Sequence, residues 1–271
     1  MFLTRHQTAH GPRWAADNRL LADAFDLRML LAMPRDDLLA FIEHTMTPDE
    51  ARGELLAPIE MTQEVWACGV TYQRSQQARR AESEIGQVYD WVYTAQRPEL
   101  FFKAIGWRVV AHRQPVRIRA DSAWNVPEPE LTLLINQQRE IVGYTVGNDL
   151  SSRSIEGENP LYLPQAKVYD ASCALGPGLY LTEVEPLRDL PIAIEILRQG
   201  QTIWQGATRT SQMKRNFEEL VEYLYRELSF PHGVFLMTGT GLVPPDDFTL
   251  AVEDVVKITI GVLTLENPVG V

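Results

Sequence analysis

The chain has 271 residues, 45% of them hydrophobic, and a formal net charge of −11, enough to bury a real core and too acidic for nucleic acid as its main partner. No apolar run approaches the ~20 residues of a membrane span and no basic segment leads into an apolar signal core, so a cytoplasmic protein without a membrane partner is expected. Cys68 and Cys173 have no metal-ligand spacing and are expected as reduced, buried thiols.

Residues 14–45 carry helical patterns, Leu20, Leu21, Ala24 and Leu27, then Leu38, Leu39 and Ile42, interrupted at Pro34. Pro48, Gly53 and Pro58 then punctuate a polar stretch. A small N-terminal domain over residues 1–60 and a larger catalytic domain over 61–271 are therefore expected. Short strands are predicted at 65–71, 115–119, 131–135, 141–147, 191–198, 202–205, 234–238 and 255–265. Residues 72–99 form a long polar insertion, helix-prone at first and carrying the aromatic group Tyr89, Trp91 and Tyr93 further on, read either as a lid or as a solvated surface helix. One helix is predicted from Phe217 to Leu228, where Phe217, Leu220, Val221, Leu224, Tyr225 and Leu228 recur at core-packing spacing. With no βαβ rhythm, the class is α+β with a mainly antiparallel or mixed sheet.

The segment Trp124-Asn-Val-Pro-Glu-Pro-Glu-Leu131 holds Glu128 and Glu130 two residues apart in backbone that proline keeps extended, so both carboxylates project to one side. Leu131–Ile135, the turn residues Asn136 to Glu140 and the β-rich Ile141–Val146 read as a hairpin. A turn centred near Gln137 and Gln138 places Glu128 across from Gly147 or Asn148, with Asp149 within a residue or two. Three converging carboxylates need a cation or protons, and an oxygen-only ligand set favours a hard ion, Mg²⁺, with Mn²⁺ or Ca²⁺ as substitutes. The bland alternative is a solvated acidic edge. An anionic small substrate would need local cations, for which Arg74, Arg79, Arg97, Lys103, Arg153 and Lys167 are candidates.

Lys167 stands in the dense segment Arg153 to Pro177, where a lysine beside a metal and a keto acid would hold a carboxylate or oxo group. In Leu236-Met-Thr-Gly-Thr-Gly241 two glycines admit a ligand close to backbone amides and Thr240 offers a hydroxyl.

From about residue 65 onward, the chain resembles the fumarylacetoacetate hydrolase superfamily through Glu128-Pro-Glu130, Gly147-Asn-Asp149, Lys167-Val-Tyr-Asp-Ala-Ser172, Thr238-Gly-Thr-Gly241 and Val255-Val-Lys-Ile-Thr-Ile260. The resemblance implies a mixed β-sandwich or roll. It also implies Mg²⁺ held by Glu128, Glu130 and Asp149 and chelating a 2-oxo acid, with Lys167 as the active-site lysine and Thr240 near the substrate carboxylate. A homodimer or homotetramer is implied as well. Hydrolytic members carry Asn-Tyr-x-x-His-x-x-Glu after the first strand, whereas here Ser75 stands at the histidine position and Ala78 at the glutamate position. Without that dyad, water activation for C–C cleavage has no base.

The runs Arg97-Pro-Glu-Leu-Phe-Phe-Lys-Ala104 and Glu156-Gly-Glu-Asn-Pro-Leu-Tyr-Leu-Pro-Gln-Ala-Lys167 are similar to the 2-keto-3-deoxypentonate dehydratase branch. That branch converts 2-keto-3-deoxyarabinonate or its xylonate-derived equivalent into 2,5-dioxopentanoate in oxidative pentose degradation. The resemblance implies a small-molecule 2-oxo sugar acid as substrate, Glu99 as an acid-base group with Lys167 beside it, and Ser75 and Arg153 as candidate substrate contacts. For Glu99 the alternative is a surface or helix-start carboxylate, and for Arg153 a scaffold salt bridge. Acylpyruvate hydrolysis, 2-oxo acid decarboxylation or isomerisation, and a non-catalytic keto-acid sensor are the rival functions.

Overall fold

A computed structural model describes residues 1–75 and 87–270, with the side chains of 87–89 set aside. In chain order the strands are β1 (Phe2–Thr8), β2 (Gly11–Ala16), β3 (Arg19–Leu21), β4 (Met46–Glu50), β5 (Glu54–Leu56), β6 (Glu64–Gly69), β7 (Glu99–Ile105), β8 (Val109–Val110), β9 (Val116–Arg117), β10 (Asn125–Val126), β11 (Pro129–Ile135), β12 (Ile141–Asp149), β13 (Ser151–Ser152), β14 (Cys173–Leu181), β15 (Pro191–Arg198), β16 (Gln201–Arg209), β17 (Val234–Met237), β18 (Val255–Ile260) and β19 (Leu263–Gly270). The helices are α1 (Leu27–Leu31), α2 (Arg35–Thr45), α3 (Gln87–Thr94), α4 (Arg153–Glu158), α5 (Leu163–Lys167) and α6 (Phe217–Leu224). No helix among the described residues is long and apolar enough to cross a membrane.

A large mixed sheet runs β4-β3-β2-β1-β14-β12-β11-β17-β6-β7, with β5 paired to β1 and β8 to β14. It is antiparallel apart from the β17–β6 and β14–β8 pairs. A five-stranded sheet, β16-β15-β18-β19-β9, packs on one face of it. Between the two lies a core in which Leu131, Leu133, Tyr144 and Val146 meet Ile192, Ile194, Ile258 and Leu265, closed by Phe217, Leu220 and Leu224 of α6. On the other face Leu134, Val142, Leu175, Phe235 and Met237 pack against Leu3, Trp14, Leu21, Leu30, Leu31 and Ile42. Every residue of β11, β12 and β17 is consequently buried, which is why their sequences read as continuous apolar runs rather than as alternation.

The N-terminal segment departs from its helical reading. Residues 2–21 form three strands, and helix begins only at Leu27. Asp17 and Asn18 both adopt positive φ, 44° and 68°, the two-residue turn that closes a tight hairpin, and Ala16 pairs with Arg19 across it. The apolar spacing of Leu20, Leu21 and Leu27 imitates a helix because a strand and a helix meet within it. The boundary expected at residue 60 falls between β5 and β6, and β1–β14 hydrogen bonding and the shared core run across it.

Two further boundaries differ. Residues 255–265 are a hairpin rather than one strand, because Gly261 turns the chain with φ +57° and Ile260 pairs with Leu263. The helix starting at Phe217 is capped by the Asn216 side chain and stops at Leu224, leaving Leu228 exposed. Of the insertion at 72–99, residues 76–86, which include Ala78 and Arg79, lie outside the described residues, and Gln87–Thr94 is helical. Both cysteines are free and buried, and burial drives the Cys173 thiol up to about 12.

Leu3 lies fully buried where β1 joins β14. Truncation to alanine is expected to cost about 2–5 kcal/mol of stability and to lower the urea midpoint in a single transition. Two separated transitions would show the N-terminal strands unfolding independently.

Candidate active site

The β11–β12 hairpin assembles the carboxylates. Its ladder pairs Glu130 with Gly147 and Pro129 with Asn148, and the Asp149 amide donates to the Glu128 carbonyl at 3.0 Å. Asp149 therefore stands directly opposite Glu128, beyond the position expected from a symmetric turn. The cause is a one-residue bulge at Leu134/Ile135 beside the turn, where Arg139 takes φ +70°; such a bulge advances the register of the whole hairpin. Gly147 leaves room on that face, since a Cβ there would lie 2.3 Å from Thr132 Oγ1 and 2.8 Å from Met237 Cε.

Glu128, Glu130 and Asp149 are 2%, 1% and 0% exposed. One oxygen from each lies within 4.8 Å of the others. Burial first, then the neighbouring charges of Asp149 and Glu128, hold the Glu130 carboxyl well above the usual carboxylate range, while Lys167 and the Gly239 amide pull it back. Three desolvated carboxylates in one place demand positive charge, and an all-oxygen set fits a hard divalent ion. The residues present fit Mg²⁺.

Lys167 ends α5. Its Nζ donates to Glu128 Oε2 at 2.5 Å, Asp149 Oδ2 at 2.9 Å and Ser151 Oγ at 2.6 Å. A second buried lysine completes the set. Lys103 Nζ lies 2.6 Å from Asp149 Oδ1 and donates to the carbonyls of Lys167 at 2.5 Å and Leu150 at 3.1 Å. It thereby ties the third carboxylate to the end of the helix that presents Lys167. Sequence reading placed Lys103 among six candidate cations without a role. Strand alternation along Glu99, Phe101 and Lys103 was the available signal, because β7 aims all three toward the site.

Glu130 is held from the other side. The Gly239 amide donates to its Oε2 at 2.6 Å, and Gly239 has φ +90°. A Cβ there would meet Thr71 Oγ1 at 2.1 Å, so the Thr238–Gly241 loop needs glycine at that position. Thr71 Oγ1 in turn donates to the Thr238 carbonyl at 2.7 Å.

Beside the triad a small pocket is lined by Cys68, Gly69, Val70, Ser75, Glu99, Phe101, Glu128, Glu130, Glu156, Leu163, Lys167 and Thr240. The structure thus brings Ser75, Glu99, Lys167 and Thr240 to one space with two of the three carboxylates, and Asp149 lies behind them. The Glu99 carboxylate overlies Gly69, where a Cβ would come within 2.0 Å of its Oε2. Ser75 Oγ donates to the Tyr72 carbonyl at 2.8 Å, and Thr240 Oγ1 accepts from the Leu242 amide at 3.1 Å. Arg153 does not line the cavity. Buried to 2% exposure, it sits with Nη2 2.9 Å from Glu128 Oε1 and Nη1 3.8 Å from Glu156 Oε2. Glu156 escaped the sequence reading, although its i,i+3 spacing from Arg153 on α4 was the signal that linked the two.

Residues 64–270 match the family model described as fumarylacetoacetate (FAA) hydrolase C-terminal. A relative from Haloferax volcanii named probable 2-keto-3-deoxyxylonate dehydratase is 52% identical over 209 residues, covering 76% of this chain and 72% of the relative. A 2-dehydro-3-deoxy-D-arabinonate dehydratase from Saccharolobus solfataricus is 41% identical over 213 residues, covering 76% and 71%. The solved structure of 2-keto-3-deoxy-D-arabinonate dehydratase complexed with magnesium and 2,5-dioxopentanoate superposes with a TM-score of 0.84 at 34% identity, covering 100% of this chain and 99% of that one. The chain belongs to the fumarylacetoacetate hydrolase family.

Proposed function

We propose that the protein is a Mg²⁺-dependent hydro-lyase that dehydrates a 2-keto-3-deoxypentonate to 2,5-dioxopentanoate. The observation that carries this reading is the buried Glu128, Glu130 and Asp149 set with Lys167 on it. It occurs in a chain that superposes over its whole length on the dehydratase solved with magnesium and that dioxo acid. Catalysis is assigned to residues 61–271, with residues 1–60 as a small N-terminal domain.

Glu128, Glu130 and Asp149 would hold the ion, which when bound supplies Lewis-acid polarisation of a 2-oxo acid and makes its C3 proton acidic. Glu99, facing the cavity from β7, takes that proton. The Lys167 ammonium, anchored beside Glu128 and Asp149, stabilises negative charge developing on the C2 oxygen. Ser75 and Thr240 present hydroxyls to the substrate from the cavity wall. The C4 hydroxyl leaves as water with the proton returned by Glu99. A proton then moves from C5 to C3, and the resulting C5 enol ketonises to the aldehyde. Arg153 is assigned to holding Glu128 in place rather than to touching substrate.

Incubation with Mg²⁺ and 2-keto-3-deoxypentonates should yield 2,5-dioxopentanoate, with activity lost on chelation and restored by Mg²⁺. Release of pyruvate from an acylpyruvate, with no dehydration, would overturn the reading in favour of a hydrolase. Glu99→Gln is expected to lower kcat by about 10²–10⁴-fold while calorimetric Mg²⁺ binding stays as in the unaltered protein; an equal loss of metal affinity would move Glu99 from proton transfer to the ion site. Glu128→Ala should abolish Mg²⁺ binding measured by calorimetry, and retained stoichiometric binding would remove Glu128 from the ligand set.

A further inference from the structure

Glu99 is the first residue of β7 and closes its ladder with β6, where it pairs with Gly69. A residue at the end of a ladder takes its position partly from the chain that precedes it, here the last turn of α3 and the link that follows. That stretch has little apolar anchorage. Trp91 and residues 94–97 are exposed, and among the described residues none from 90 to 97 belongs to either hydrophobic core.

What holds it is polar. Arg215, buried just before α6, donates from Nη2 to the carbonyls of Val92 at 3.2 Å and Ala95 at 2.6 Å, and from Nη1 to the Gln96 carbonyl at 3.1 Å. Carbonyls at a helix C-terminus run out of intrahelical donors, and a cation suits that end of the helix. Nη1 also donates to Glu219 Oε1 of α6 at 2.6 Å, so the four Nη protons meet four acceptors. Beside it Lys214 Nζ donates to the Tyr93 carbonyl, and Arg97 lies 5.4 Å from the Tyr223 ring centroid of α6. The Lys214 amide donates to the Thr71 carbonyl at 2.9 Å and Met213 bridges Tyr72. Residues 213–215 thus grip the chain leaving β6 as well as the chain entering β7.

We propose that Arg215 is a positioning residue for the reaction: its guanidinium pins the end of α3 to α6 and so sets where the Glu99 carboxylate stands in the substrate pocket. This rests on the reading of Glu99 as the group that takes the C3 proton. Only Arg97 and Pro98 separate Gln96 from Glu99. Proline fixes its own φ and holds the residue before it extended, which makes that link stiff. A shift at Gln96 therefore reaches Glu99, while Glu128, Glu130 and Asp149 stay held by the hairpin and their own donors. A lysine ammonium has three donors and no planar fork, so it cannot replace the guanidinium here.

The test follows the C3 protons of 2-oxobutanoate, which has no C4 hydroxyl to lose, so deuterium uptake from D₂O read by NMR reports proton removal without dehydration. With Mg²⁺ present, Arg215→Ala is expected to slow uptake by about 10²-fold, the cost of misplacing a reacting group by about 1 Å, with KM and calorimetric Mg²⁺ affinity unchanged. In a Glu99→Gln background the same substitution should add less than about twofold, because two changes that act through one group do not add. Arg215→Lys keeps the charge without the fork and takes the place of the alanine variant if the latter does not fold. Equal slowing in both backgrounds, as from a purely structural arginine, overturns the proposal, and so does the absence of uptake by the unaltered protein. Uptake lost in Glu99→Gln but kept in a folded Arg215 variant overturns the proposal alone, whereas uptake that survives Glu99→Gln overturns the reading of Glu99 and the proposal with it. A protein that exchanges the C3 protons through Glu99 and Arg215 yet leaves every 2-keto-3-deoxypentonate intact would keep the role of Arg215 and sink the dehydratase reading.

Discussion

Three carboxylates buried at the end of a central hairpin set the terms for the surrounding structure. Glu128, Glu130 and Asp149 are almost without solvent, and uncompensated charge in such a place costs several kcal/mol per ion. The chain surrounds them with donors in fixed positions: Lys167 on Glu128 and Asp149, Lys103 on Asp149, Arg153 on Glu128 and the Gly239 amide on Glu130. Each donor comes from a different element, so the site exists only when α4, α5, β7 and the loop after β17 have all docked on the hairpin. A divalent ion would add the remaining positive charge that three buried carboxylates call for.

The fold supplies the rigidity that such a site needs. Strands β11 and β12 are buried on both faces, by the five-stranded sheet on one side and by the N-terminal strands and helices on the other. Their carboxylate-bearing ends cannot drift apart without disturbing two cores at once. The bulge beside the turn is part of this design, because without its extra residue Glu128 would face Asn148 instead of Asp149. In a strand, a shift of one residue turns every side chain to the opposite face.

The division of labour among the charged groups follows from where each points. Lys103 and Arg153 act on the carboxylates from behind the cavity wall, whereas Lys167, Glu99 and Glu156 face the space where substrate would lie.

The sequence by itself determined the local chemistry: proline-extended Glu128 and Glu130 on one side, a hairpin bringing Asp149 near, a glycine-threonine loop at 238–241, and an α+β class with short buried strands. Those features depend on backbone preferences and spacing within a few tens of residues, which a linear reading captures. The N-terminal strands were missed because Leu20, Leu21 and Leu27 straddle a strand and a helix, and only the Asp17-Asn18 turn resolves the ambiguity. Lys103 and Glu156 were present in the text of the sequence but without roles. Their meaning lies in contacts between elements 46 and 28 residues apart, Lys103 to Asp149 and Glu128 to Glu156 through Arg153. Only tertiary packing decided the exact carboxylate register, which charges face the cavity and which stand behind it, because those depend on a bulge and on burial, and neither has a signature in spacing alone.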